Sequence, residues 1–193
     1  QQGWVDLLID DINDLIKRVK IAQLKNETIS IAYIGNVVEI WERFDEEYIF
    51  IHLGSDQTSL HIPWTGGYYP VGISYEESNR LISEEPLLFK EKVQKSLRRH
   101  AKSINNHTKK GTYFFDYGNA FLLESSRAGA DVMAENGIDF KYPSYVQDIL
   151  GPMCFDYGFG PFRWVCASGK AEDLDKTDEI AATVLQKIME NSP

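Results

Sequence analysis

Near the start of the chain, apolar residues recur at three- and four-residue steps: Val5, Leu8, Ile9, Ile12, Leu15, Ile16 and Val19. That spacing predicts a helix with one apolar face. Asp6, Asp10 and Asp14 share a second face, read as solvated, and Lys17, Arg18 and Lys20 fall near the end where the helix dipole favours cations. The pattern then changes to a short continuous run, Ile29–Ile34, ending at Gly35-Asn36, which predicts a buried parallel strand. Asn36 is placed as the N-cap of a helix with Val37, Ile40, Trp41 and Phe44 on its apolar side. Tyr48–Leu53 reads as a second strand ending at Gly54-Ser55-Asp56-Gln57, so the segment is expected to form a βαβ unit.

Residues 57–73 form a loop rich in Gly, Pro and aromatics. Ser74 and Glu77 have capping-box spacing and start a helix. Pro86 opens a longer one, with Phe89, Val93, Leu97 and Ile104 at helical steps, before a polar turn at 105–111. Thr112–Asp116 is the third expected strand, followed by Tyr117-Gly118-Asn119 and a helix that Gly137 stops. Ile138–Phe140 and Pro161–Cys166 are expected as further strands. A last helix, from about Asp173 to Glu190, is expected to turn Ile180, Val184, Leu185 and Ile188 inward. Alternating strands and helices give an α/β fold, a mostly parallel sheet with helices on both faces, and residues 1–193 read as a single domain. Three strands end in polar, Gly-containing turns at Gly35, Gly54 and Gly118. In a parallel sheet these turns meet at the carboxyl edge, where ligands bind.

Composition narrows the function classes. With 43% hydrophobic and 25% charged residues, the chain can bury a core and is not a disordered segment. The formal charge of -9 disfavours general binding to nucleic acid, although backbone N–H groups still permit a nucleotide cofactor. No apolar run approaches the ~20 residues of a membrane helix, and no signal pattern opens the chain. Two cysteines, Cys154 and Cys166, match no metal spacing, so a reduced, cytoplasmic protein is expected. The missing initiator Met and the early helical pattern suggest a fragment of a longer protein.

Motifs for hydrolysis or metal chemistry are absent: there is no GxSxG, no H-E-x-x-H and no CxxC. GxGxxG is absent too. Gly158-Phe159-Gly160 precedes Pro161 and reads as a tight turn. Of the four histidines, His52 reads as packed within a strand, and His100 and His107 read as solvated. His61 shares a loop with Gln57, Thr58 and Ser59, which form either a structural network or a ligand-binding one. Arg163 lies between Phe162 and Trp164 and needs a partner when buried, either a core carboxylate or the carboxylate of a substrate.

Long segments resemble the urocanase (urocanate hydratase) family: DQTSLHIPWTGGYYPVG from Asp56, FFDYGNAFLLESSRAGADV from Phe114, YPSYVQDILGPMCFDYGFGPFRWVCASG from Tyr142, and SGKAEDLDKTDE from Ser168. The resemblance covers nearly the whole chain and implies a Rossmann-like dinucleotide-binding domain of a larger enzyme. It implies that NAD acts as an electrophile toward urocanate, so that water adds to give 4-imidazolone-5-propanoate in histidine degradation. By the same match, Asn36, Val37, Gln57, Thr58, Ser59, Leu60, His61, Tyr68, Tyr69 and Tyr117 would contact the cofactor. Arg163 would hold the carboxylate of urocanate. The family's Gly-rich loop and its cysteine-bearing FQGLP-type segment are absent here. The resemblance therefore assigns no catalytic residue or metal to this chain, and implies that the remaining domains, in a homodimeric enzyme, supply the chemistry. Two further readings compete with it: a non-catalytic ligand-binding module, and a conventional NAD dehydrogenase domain, which the missing GxGxxG disfavours.

Overall fold

All described strand pairs are parallel. The computed structural model describes residues 3–56, 62–118, 120–158, 160 and 166–191. The chain divides into two compact units, Gln1–Pro152 and Met153–Pro193.

In the first unit, β1 (Leu7–Ile9) pairs with β2 (Ile31–Tyr33), and α1 (Ile12–Lys25) connects them. The expected first helix thus begins late. Over so few residues an apolar run fits either period, and Asp11 decides the boundary: its Oδ1 accepts from the N–H groups of Asn13 and Asp14 at 2.8 and 3.0 Å. Asn26 ends α1 in the left-handed conformation, with φ of 50°.

α2 (Val37–Glu46) follows β2, and Tyr48, at φ of 55°, turns the chain out of it. The run from Tyr48 is spent partly on that exit, so β3 forms later than expected, at Leu53–Asp56. β3 pairs with β4 (Tyr113–Asp116) and not with β2, so the expected βαβ unit from Ile29 to Leu53 is replaced by one spanning β1, α1 and β2. Gly54 sits within β3 because Trp41 of α2 packs on it: a Cβ there would lie 2.4 Å from the indole.

α3 (Tyr75–Glu84) and α4 (Pro86–Lys109) connect the second strand pair. Phe89, Val93, Leu97 and Ile104 of α4 are fully buried against Val38, Leu81, Phe114, Phe121 and Val132, as their spacing predicts. α4 continues through the expected polar turn, and Gly111, at φ of 106°, follows its end. His100 and His107 therefore lie in the core and not in solvent, with His107 Nε2 2.9 Å from the Trp41 carbonyl. His52 is exposed and packs edge-on to Phe50, contrary to the buried role expected.

α5 (Ala120–Arg127) ends well before Gly137. Gly129, at φ of 79°, stops it, and Ala130 N–H reaches back to the Ser125 carbonyl in a Schellman closure. Ile138–Phe140 makes only a bridge from Phe140 to Met133, because Asn136 and Gly137 fold the segment into a turn. A π-helical turn (Tyr145–Leu150) and a single turn, α6 (Gly151–Met153), follow.

In the second unit, Phe155–Tyr157 forms a 3₁₀ turn closed by Gly158. α7 (Ala171–Asn191) starts where the Ser168 hydroxyl accepts from Lys170 N–H and donates to Asp173. Ile180, Val184 and Ile188 are exposed, Leu185 is half-buried, and no residue of α7 is buried, contrary to the inward face expected. Of the expected strand from Pro161, residues 161–165 lie outside the described residues, and Cys166 belongs to no strand.

Candidate functional site

Asn36 joins β2 to α2. Its Oδ1 accepts from Val38 N–H at 3.0 Å, the N-cap bond expected, and its Nδ2 donates to the Tyr69 carbonyl at 2.9 Å. Both ends of the carboxamide are thus committed to tying the start of α2 to the loop before α3. Gly35 precedes it because Tyr33 folds over the turn, where a Cβ would lie 2.2 Å from the Tyr33 ring. Val37 stays 38% exposed while Val38 is buried, so the helix presents its core face one residue later than expected.

Tyr69 donates its hydroxyl to Asn79 Oδ1 at 3.2 Å and sets its ring 5.2 Å from that of Tyr75. Ser74 caps α3 by accepting from Glu77 N–H at 3.1 Å. Together these pieces enclose a cavity of about 460 Å³ whose lining includes Asn36, Glu39, Tyr69, Tyr75 and Ser78. Among the described residues that line it, Glu39 carries the only formal charge. The Ser78 hydroxyl oxygen is buried and has no hydrogen-bond partner among the described residues.

The ends of β3 and β4 lie side by side. Asp56 and Asp116 are register partners at the ends of β3 and β4, and both are buried. Tyr117 N–H donates to the Asp56 carbonyl at 3.0 Å, and its ring stacks on Tyr145 at 5.4 Å. Tyr68 lies near the end of β3. It neighbours Tyr69 in sequence, and burial followed by the Asp56 charge pushes its phenol pKa upward. Its own side chain faces the core, 3% exposed, with its hydroxyl 3.4 Å from His100 Nδ1.

Asp116 shapes the turn that carries Tyr117. Its Oδ2 accepts from Leu122 N–H at 3.0 Å. Burial raises its pKa, while backbone N–H groups of Leu122, Gly118, Phe121 and Tyr117 pull it back down. The protein's own carboxylate therefore occupies the start of α5, a place that otherwise attracts a bound anion.

Asn36 and Tyr69 thus line the cavity, Val37 is not among its lining residues, Tyr117 stands beside Asp56, and Tyr68 turns away into the core. Gln57, Thr58, Ser59, Leu60, His61 and Arg163 lie outside the described residues. Sequence reading passed over Glu39, Tyr75, Ser78 and Asp116. A signal existed for Ser78, three residues before Leu81 and hence on the same helix face, and for Glu39 at the third position of a capped helix. Among the described residues no group of three His, Cys, Asp or Glu could hold a metal ion, and no helix is long and apolar enough to cross a membrane.

Residues 1–149 match the urocanase Rossmann-like domain, and residues 152–192 match the urocanase C-terminal domain. The chain is 54% identical over 190 residues to a probable urocanate hydratase of Dictyostelium discoideum, covering 97% of this chain and 28% of that protein. It is 50% identical over 192 residues to a probable urocanate hydratase of Caenorhabditis elegans, with the same two coverages. It is likewise 50% identical over 194 residues to the urocanate hydratase of Mus musculus, covering 97% of this chain and 29% of that protein. The chain therefore spans less than a third of the length of these relatives. With both of its segments matched and half of its residues identical to those of the relatives, the chain belongs to the urocanase family.

Proposed function

We propose that this chain is the cofactor-holding part of a urocanate hydratase, which adds water to urocanate with the help of NAD in histidine degradation. The observation that carries the reading is the urocanase Rossmann-like match over residues 1–149, on a chain whose cavity opens beside the end of a parallel strand. The donor set suits a nucleotide: amides at the starts of two helices, two tyrosine rings and one carboxylate line the cavity, and a buried Ser78 hydroxyl in its wall has no partner among the described residues. NAD, when bound, supplies an electron sink that the protein's own side chains lack.

The chain's residues hold and orient. The Asn36 carboxamide is already bonded at both ends, so contact at Asn36 and Val37 runs through the backbone. Tyr69 offers an aromatic wall, Tyr117 presents a ring from the β4 turn, and residues 57–61 continue from the end of β3. Arg163 is assigned to the carboxylate of urocanate, for which a guanidinium offers a bidentate match. The rest of the polypeptide supplies the remaining contacts and the chemistry, in a homodimer. Free Cys154 and Cys166 suit a reducing cytoplasm.

The test is made on the full-length polypeptide that carries this segment. It is expected to remove the ultraviolet absorbance of urocanate and to release NAD on denaturation, while the 193-residue chain alone leaves urocanate unchanged. A full-length protein that lacks NAD, or that leaves urocanate intact, overturns the reading.

A further inference from the structure

The cavity between the starts of α2 and α3 has a charge pattern that discriminates among the parts of a dinucleotide. Two helix N-termini border it, which by itself favours an anion. Their leading amides are partly used: Val38 N–H goes to Asn36 and Glu77 N–H to Ser74. Acidic side chains occupy both first turns, Glu39 in α2 and Glu76 and Glu77 in α3. No Lys or Arg is among the described residues of the lining, and Glu39 is. A phosphate would meet this carboxylate without a cation to offset it, at a cost that outweighs the remaining partial charge of a helix end. An uncharged group with hydroxyl donors meets the reverse situation: it donates to Glu39 and accepts from the helix amides.

Two further features fit a sugar joined to a planar base. Tyr69 and Tyr75, with ring centroids 5.2 Å apart, form an aromatic wall on which such a group can lie. Ser78, 1% exposed in the same wall, keeps a hydroxyl without a partner among the described residues, a deficit that a ligand hydroxyl can remove by rotation about one side-chain dihedral.

Resting on the reading of this cavity as part of the cofactor site, we infer that it takes a ribose and not the pyrophosphate. Glu39 accepts from the ring hydroxyls, Tyr69 and Tyr75 cover the sugar and its base, and Ser78 serves as a second hydrogen-bonding group. The sugar can come from either half of the dinucleotide, since the chemistry is shared.

Amide spectra of the 193-residue chain test this with millimolar adenosine, nicotinamide riboside, 2′,3′-dideoxyadenosine and inorganic phosphate. Adenosine or nicotinamide riboside is expected to shift the amides of Gly35–Glu39 and Ser74–Ser78, and which one does so identifies the half. Dideoxyadenosine, lacking the hydroxyls, is expected to bind about tenfold more weakly than adenosine, and phosphate to leave these amides in place. Glu39→Gln is expected to weaken the responding nucleoside about tenfold, with the remaining amides unmoved. Ser78→Ala, which deletes a hydroxyl that has no partner, is expected to weaken it while leaving the unfolding midpoint unchanged or raised. Equal shifts with adenosine and dideoxyadenosine, a response to phosphate alone, or no response to any nucleoside overturns the inference. If that happens while the full-length protein still releases NAD, the ribose assignment fails and the functional reading stands. A full-length protein without NAD fails the functional reading instead.

Discussion

Two residues show how single positions hold this fold. Gly54 lies under the edge of the Trp41 indole, where a Cβ would come within 2.4 Å. Gly54→Ala must push back a buried ring or bend β3, so it is expected to destabilise by about 1–3 kcal/mol, measured by urea unfolding. Gly54 reads in the sequence as part of a strand-end turn; its actual reason, a neighbour from another element, leaves no local mark. The case of His100 is similar. Its surroundings in sequence are basic, yet it is 1% exposed, edge-on to Phe121, with Nε2 lacking a partner among the described residues. Burial lowers its pKa to about 3. An unfolded chain takes up this proton once pH falls below about 6.5, while the folded chain refuses it until about 3, so the unfolded state binds more protons between those values. Stability attributable to His100 is therefore intact above about pH 6.5 and is lost as pH falls, by about 2 kcal/mol at pH 5. His100→Gln, which cannot take the proton, is expected to flatten that part of the pH dependence. An unchanged slope between pH 7 and 5 would show that His100 is not the group responsible.

At the scale of elements, capping chemistry was the most legible part. Asn36 and Ser74 start α2 and α3 as their residue types require, and Pro86 opens α4, whose stripe of Phe89, Val93, Leu97 and Ile104 is fully buried. Strand ends were less legible. Runs of three or four residues fit either period, and the choice fell to the side-chain cap of Asp11 and to the left-handed backbone at Tyr48. The site inherits this pattern: the Asn36 turn was placed correctly, whereas the inward-facing Tyr68 and the buried Ser78 depend on contacts between elements. Asp116 is the element-scale determinant of the turn after β4, because its Oδ2 accepts from Leu122 N–H in the first turn of α5. Asp116→Ala orphans the buried Leu122 N–H. It is expected to cost about 2–4 kcal/mol and to speed hydrogen exchange at Leu122 more than at Leu97 in α4. Uniform acceleration across both would mean that the carboxylate contributes only globally.

For the whole molecule, the question is how much of a dinucleotide this chain can hold unaided. Its relatives are more than three times as long, its sequence lacks a GxGxxG loop, and the described cavity lining offers a carboxylate but no cation. A pyrophosphate held in an intact site accepts several charge-assisted hydrogen bonds, each worth roughly 1 kcal/mol or more. Losing three of them weakens binding by about two orders of magnitude or more. The net charge of -9 adds a repulsion between protein and cofactor that salt screens. The 193-residue chain is therefore expected to bind NAD with a Kd weaker than about 0.1 mM, with affinity rising slightly as salt is added, whereas the full-length protein retains NAD through purification. Calorimetry on both proteins at two ionic strengths decides the matter. Micromolar binding by the chain alone would place the pyrophosphate contacts within these residues, and affinity falling with salt would mean that a cationic contact dominates.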